Sequence, residues 1–519
     1  MNSVNTYQNI LLIILFILSF GVSKAQTTFV PDDNFEQALI NLGLDTPPLD
    51  DVVPTVNIAS IKELNVSLLG INDLTGIEDF SDLEVLECSE NNLTVLDISN
   101  NGKLRQLFCS FNAIENLDVS NNPELSILWC NFNRINNLDT SNNLDLLSFI
   151  CSNNLLTTLD ISKNTFLNTF FCVGNQLANL DVTSNAELRI LHCGNNSINT
   201  LDVSENLLLY DFNFEYNTIK TIDLSNNTEL EFLYCLSNNL IDLNLSNNPN
   251  LAVLSCGENQ LTEIDVQLNT NLRELYCEKN QIQFLDLSTN RFLNSLNCSN
   301  NNLCQLNVKN TNNSNVLVFD TSQNNELACI FVDNVAYSQN NWTAIDAQSS
   351  FVSNLDECAD VLDNFIAIDS LNDVVAASYI LPNLTFGSYF TEPFGNGIEL
   401  SAGSTITNSQ TIYIYNQNNC YENQSSFNVF ITVDGLFIPK YFTPNNDGIN
   451  DYWKVIDTNN SISKITIFNR YGKLLKYLPS NSKGWNGTLN NQILPNDTYW
   501  YEMVLNTNEI LRGYFALKR

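Results

Sequence analysis

The side chains able to do chemistry are unevenly stocked in this chain: fourteen cysteines, 57 acidic residues and one histidine, His192. A single imidazole excludes any mechanism needing two, His-rich zinc sites included. Carboxylate chemistry survives that exclusion. Nine aspartates recur in one phase, at Asp97, Asp118, Asp139, Asp160, Asp181, Asp202, Asp223, Asp265 and Asp286, with Asn244 and Asn307 in the same places. Such a column would suit a cation ladder or the acid pair of glycoside hydrolysis. Repetition argues against catalysis, because an acid pair needs two unlike environments to split its pKa values. Most of these aspartates have Ser or Thr two residues on, which reads as a turn whose carboxylate accepts backbone hydrogen bonds. Calcium is the weaker alternative, since no EF-hand-like spacing is present. We therefore expect no catalytic residue, no metal site and no cofactor.

The cysteines set the period. Cys88, Cys109, Cys130, Cys151, Cys172 and Cys193 lie 21 residues apart, Phe214 takes the seventh place, and Cys235, Cys256, Cys277 and Cys298 resume the series. A phenylalanine cannot form a bridge, so the column reads as small buried hydrophobes. Parallel neighbours would lie roughly 4.8 Å apart, which leaves occasional bridging open. A row of thiols offers no tetrahedral cluster for zinc or iron-sulfur chemistry. Three residues after each position stands Asn: Asn91, Asn112, Asn133, Asn154, Asn175, Asn196, Asn217, Asn238, Asn259, Asn280 and Asn301. Its short amide can satisfy turn backbone groups that would otherwise be buried unpaired.

These repeats require a solenoid of short parallel strands. In the unit LRELYCEKNQIQFLDLSTNRF, Leu272, Leu275, Cys277, Ile282, Leu285 and Leu287 point inward. Neighbouring coils must share one core, because a single coil cannot bury its own apolar edge. Leu285 to Leu287, with Asp286 outward, predicts a second strand-like stretch on the opposite side of the coil. The residue between the inward Leu and Cys positions faces out: Glu87, Phe108, Trp129, Ile150, Phe171, His192, Asn213, Tyr234, Ser255, Tyr276 and Asn297. Phe108, Trp129, Ile150 and Phe171 form an apolar stripe with His192, Tyr234 and Tyr276 further along. It reads as a ligand-binding face, with stacking for stability as the alternative.

The ends differ from the coils and from each other. Residues 10–22 are an apolar run followed by Ser23 and Ala25, the pattern of a signal peptide spanning 1–25, and no second run predicts a transmembrane span in the mature chain. Residues 26–80 form an N-terminal cap with a short helix, in which Pro31 and Asp32 precede Phe35, Ala38, Leu39 and Leu42, together with the first irregular repeats. The solenoid covers 81–328. A cap at 329–358 closes it, and a disulfide between Cys329 and Cys358 fits its two ends. Residues 359–435 alternate as a small β-sandwich-like spacer. Residues 436–519 form another β module with ten basic and six acidic side chains, although the whole chain carries a net charge of -35. That overall charge excludes nucleic acid as a partner. A polar loop holds Pro444, Asn445, Asp447, Gly448, Asn450 and Asp451, an Asx turn with cation chelation as the alternative.

The coils resemble leucine-rich repeats of Bacteroidetes surface proteins, and more distantly internalin-like arrays. Residues 436–519 resemble the gliding-motility-associated carboxy-terminal domain, the type B sorting domain of type IX secretion, through FTPNNDGIND, IFNRYG, GWNGT and the closing GYFALKR. GWNGT has Asn486 where the family usually has Asp. The resemblance implies export through the type IX machinery to the cell surface or the medium. It further implies a non-enzymatic adhesion or binding protein with an unknown protein or glycan ligand. The alternatives are a polysaccharide-binding surface protein and a structural surface-layer component.

Overall fold

The computed structural model describes residues 26–433, 435–446 and 450–519, without the side chains of 363 and 364. The signal-peptide reading and the Asp447 and Gly448 positions lie outside the described residues. Two compact units divide at Cys358 and Ala359.

In the first unit, the cap helix runs Asp33–Asn41. Asp32 caps it through one carboxylate oxygen, which accepts from the backbone of Asn34 and Phe35 at 3.0 Å each. Its other oxygen accepts from the backbone of Asn72 at 2.9 Å and Asp73 at 3.2 Å, which fastens the helix to the coil behind it. Phe35, Ala38 and Leu39 are buried. Leu42 is exposed, because the helix ends before it and Leu42 occupies the C-cap.

Thirteen three-residue strands, from Glu63–Asn65 to Val318–Asp320, make one sheet. All are parallel, and pairing steps by the repeat: Gln106 with Ile127, Leu107 with Leu128, Phe108 with Trp129. The Leu, Cys and Ile columns are buried between this sheet and the opposite side of each coil. Apart from a single parallel bridge between Leu96 and Leu117, among the described residues the predicted second strand forms at the far end. There Phe284–Asp286, Gln305–Asn307, Cys329–Phe331 and Ser350–Val352 pair in parallel. Cys329–Phe331 and Ser350–Val352 belong to the capping coils, and the pairing continues into two regular coils, Gln305–Asn307 and Phe284–Asp286.

The cap continues as a helix at Val335–Asn341. Trp342 follows it, stacked on Phe319 at 4.0 Å between ring centres. Cys329 and Cys358 form a disulfide with Cα atoms 5.8 Å apart. Together these groups cover the apolar end that an open solenoid would leave in water.

In the second unit, a five-stranded sheet is built around the long hairpin Gln410–Gln417 and Glu422–Ile431. Tyr389, Ile412, Ile414, Phe427 and Val429 are its core. A second five-stranded sheet contains Tyr441–Phe442, Ile462–Phe468, Leu474–Pro479, Asp497–Leu505 and Ile510–Leu517. Trp453 and Phe515 stack at its centre, 3.9 Å apart. Trp485 exchanges two backbone hydrogen bonds with Trp453, of 2.8 and 3.0 Å. A Cβ on the preceding Gly484 would lie 2.8 Å from the Trp453 carbonyl, so this place in GWNGT takes glycine. In the polar loop, Asp451 accepts from the backbone of Asn446 at 2.6 Å.

Candidate recognition surface on the solenoid

The surface rests on two rows of asparagine. In the first row, Asn133 is typical: its oxygen accepts from the Ile114 N–H at 3.0 Å, and its nitrogen donates to the carbonyls of Cys109 at 3.0 Å and Cys130 at 3.1 Å. Each amide thus ties its own coil to the preceding one. The same acceptor bond recurs from Asn91 and Asn112 through Asn301. The second row was not singled out in the sequence. It comprises the fully buried Asn101, Asn122, Asn143, Asn164 and their successors to Asn290. Asn122, for example, donates to the carbonyls of Ile98 at 3.0 Å and Asn101 at 2.9 Å. Its signal is a second Asn ten residues after each Asn of the first row from Asn91 to Asn280.

The ten in-phase cysteines are buried free thiols. Burial pushes the Cys109 and Cys193 thiols up to about 12, so they remain protonated and poorly nucleophilic. The aspartate column closes turns: Asp118 and Asp139 each accept from the backbone of the serine two residues on at 2.9 Å. Hydrogen bonds from the serine or threonine hydroxyl and N–H hold the carboxyls of Asp97, Asp118, Asp139 and Asp181 below their usual range. A depressed folded-state pKa stabilises the fold above the unfolded pKa and ceases to do so as pH falls through the folded value. The urea midpoint of the solenoid is therefore expected to hold between pH 7 and about 5 and to decline below about 4. A triple variant, Asp118→Asn, Asp139→Asn and Asp160→Asn, should decline less. An unchanged slope would remove the column as the source.

The predicted outward stripe occupies the sheet, but its side chains shield one another. Trp129 is 38% exposed, whereas Phe108, Ile150, Phe171, His192, Tyr234 and Tyr276 are half-buried. Phe108 meets Trp129 edge to face at 5.0 Å, and Phe171 lies flat on His192 at 4.4 Å. His192 Nε2 is 3.0 Å from Asp211, and the Trp129 indole donates to Ser148 Oγ at 3.0 Å. The Tyr276 hydroxyl donates to Glu274 at 3.1 Å. Burial, helped by Asp211, Glu274 and Glu215, raises the Tyr234 phenol.

More exposed aromatics stand three residues beyond the stripe. Phe111 is 49% exposed and Phe132 44%, and the two rings stack at 4.4 Å. Tyr216, in the same column, is 53% exposed. All three have left-handed backbone, with φ of 55°, 55° and 53°. The same backbone recurs whatever the residue: Glu90, Asn153, Gly174, Asn195, Ser237, Glu258, Lys279 and Asn300 fill the equivalent places with φ between 51° and 68°. The column immediately before the conserved-in-phase Asn would have revealed these rings had it been read across the coils.

Residues 436–517 match the CHU_C type IX secretion signal domain. No curated protein matches the chain. Among solved structures, the chain resembles the functional domain of InlJ from Listeria monocytogenes, which includes a cysteine ladder, at 25% identity and a TM-score of 0.54, over 78% of this chain and 99% of that one. It also resembles an internalin, InlF, from Listeria monocytogenes at 24% identity and a TM-score of 0.53, over 63% of this chain and 96% of that one. Among the described residues no helix is long and apolar enough to cross a membrane. The chain thus combines a leucine-rich-repeat solenoid with a carboxy-terminal type IX secretion signal domain, which marks it for export to the cell surface or the extracellular space.

Proposed function

We propose that this is a non-enzymatic adhesion or recognition protein that binds a protein ligand through its solenoid after type IX export. One observation carries the reading: Phe111 and Phe132 are large, exposed and mutually stacked on neighbouring coils. Large apolar rings left in water side by side point to a contact surface. Phe108, Trp129, Ile150, Phe171, His192, Tyr234 and Tyr276 extend the contact face across neighbouring coils. A protein ligand is favoured over a glycan because phenylalanine rings bring no polar atom to orient a sugar. The 436–519 module engages the export machinery.

The test is binding of the mature chain to host cells, neighbouring cells and soluble polysaccharides, beside a Trp129→Ala, Phe132→Ala double variant. Protease-sensitive, saturable binding weakened about 30-fold or more in a folded variant is expected, the scale of a lost hot spot. Equal binding by both chains would sink the surface. Binding only to polysaccharide would replace the protein ligand with a glycan.

A further inference from the structure

The amino-terminal cap concentrates carboxylates in a way that its packing does not account for. Glu36 lies on the inner side of the helix Asp33–Asn41 and is fully buried. The segment 44–51, LDTPPLDD, folds back against it, with Glu36 Oε1 accepting from the Asp50 N–H at 2.7 Å and Oε2 from the Asp51 N–H at 3.2 Å. Asp45, on the same segment, is only 9% exposed, and its Oδ2 is buried without a hydrogen-bond partner. Carboxylate oxygens of Glu36, Asp45 and Asp50 all lie within 4.8 Å of one another. No ion pair among the described residues involves any of the three, and residues 26–61 contain no Lys, Arg or His.

Like charges this close, two of them withdrawn from water, repel, and the two N–H groups given to Glu36 leave the buried Asp45 oxygen without a partner. A cation between them would offset the repulsion and fill that gap. A proton would serve one pair, but it would leave a third carboxylate beside them. Three oxygen donors, with no nitrogen or sulfur, select a hard divalent ion. The donors come from a helix and from both ends of a loop. That arrangement suits the irregular, six-to-eight-fold coordination of calcium better than the near-ideal octahedron of magnesium.

We propose that Glu36, Asp45 and Asp50 bind a calcium ion that fastens the 44–51 loop to the cap helix. The site lies in the cap and does not depend on the recognition surface proposed above. Its function is to complete the amino-terminal end of the solenoid once the chain is outside the cell. Asp45 supplies the buried oxygen that is otherwise unpartnered, Asp50 the solvent-side oxygen, and Glu36 orients the loop through the two N–H groups that it accepts.

The test uses the full mature chain, stripped with EGTA, in equilibrium dialysis against radiolabelled calcium and in thermal unfolding with and without calcium. Saturable uptake is expected with a Kd of about 10⁻³ M or tighter. Asp45→Asn and, separately, Asp50→Asn should each weaken it by about tenfold or more and abolish the calcium-dependent rise in Tm. Asp50 is exposed, so its variant should fold, as circular dichroism would verify. Asp118→Asn, in the turn column, should leave uptake unchanged, and magnesium at equal concentration should not replace calcium. Absence of uptake at about 10 mM calcium, or uptake undiminished in either cap variant, would overturn the proposal. So would an Asp45→Asn chain that melts higher than the parent irrespective of calcium, which would identify a shared proton in place of the ion.

Discussion

Replacing Asn154 with alanine is expected to lower the unfolding free energy by about 2–4 kcal/mol, because a buried N–H loses its partner and two buried carbonyls each lose one of the two asparagine amides that they accept from. The amide oxygen of Asn154 accepts from the Ile135 N–H at 3.0 Å, and its nitrogen donates to the carbonyls of Cys130 and Cys151, each at 3.0 Å. Water cannot replace it easily, since Asn154 is itself buried and the cysteines on either side are fully so. The loss falls at the junction of two coils, and a solenoid is held together by such junctions. Urea titration followed by far-ultraviolet circular dichroism would measure it. Asn154→Asp should recover only part of the loss, since a carboxylate keeps the acceptor and discards the donor. A cost below about 1 kcal/mol would show that the backbone relaxes around the gap and that the row is redundant.

The second large effect is expected at the opposite end. A Cys329→Ala, Cys358→Ala variant should be destabilised by about 3–4 kcal/mol, the chain entropy of closing a loop of this length. The two residues are 29 apart in sequence and enclose the helix Val335–Asn341 with Trp342 and Phe351, whose rings pack on Phe319. Without the bridge this capping segment should open first and expose the last coils, which limited proteolysis would register as early cleavage between 329 and 358. The buried thiols from Cys88 to Cys298 supply a control within the same molecule. They should remain unreactive towards a thiol reagent while the amino-terminal coils stay folded, because burial and not bridging protects them. A variant as resistant as the parent would assign the closure to aromatic packing alone.

The two replacements act on different steps of the same architecture. Asn154 sets how well one coil registers on the next, whereas the disulfide sets how well the stack is terminated. Combining them should give nearly additive losses, since the sites are separated by several coils and share no partner.

The period of 21, the inward Leu and Cys columns and the Asn after each strand were legible in the sequence because each is a local pattern copied many times. Repetition averages away the ambiguity of any one short strand. The Asp-x-Ser turns were legible for a similar reason: donor and acceptor are two residues apart, so spacing alone brings them together. The carboxy-terminal module was recognisable from FTPNNDGIND, IFNRYG and GWNGT, and in the last of these Gly484 and the buried Trp485 occupy places that few other residues can fill.

Other features depend on contacts that the chain order does not contain. Phe108 and Phe171 alternate as outward residues, yet each is half-covered by the ring in the next coil, whereas Phe111 and Phe132 project from the turns and stay largely exposed. The second strand of each coil is encoded repeatedly, yet among the described residues it pairs as a sheet in the coils next to the carboxy-terminal cap and as a single bridge between Leu96 and Leu117. Glu36 and Asp45 look like ordinary surface acids until the 44–51 loop folds over the cap helix and removes them from water. The sequence by itself determined the repeat, its core and its turns, because those depend on neighbours at fixed spacing. The tertiary structure decided which side chains remain in water and which charges must share a buried space, because burial is a property of the packed whole.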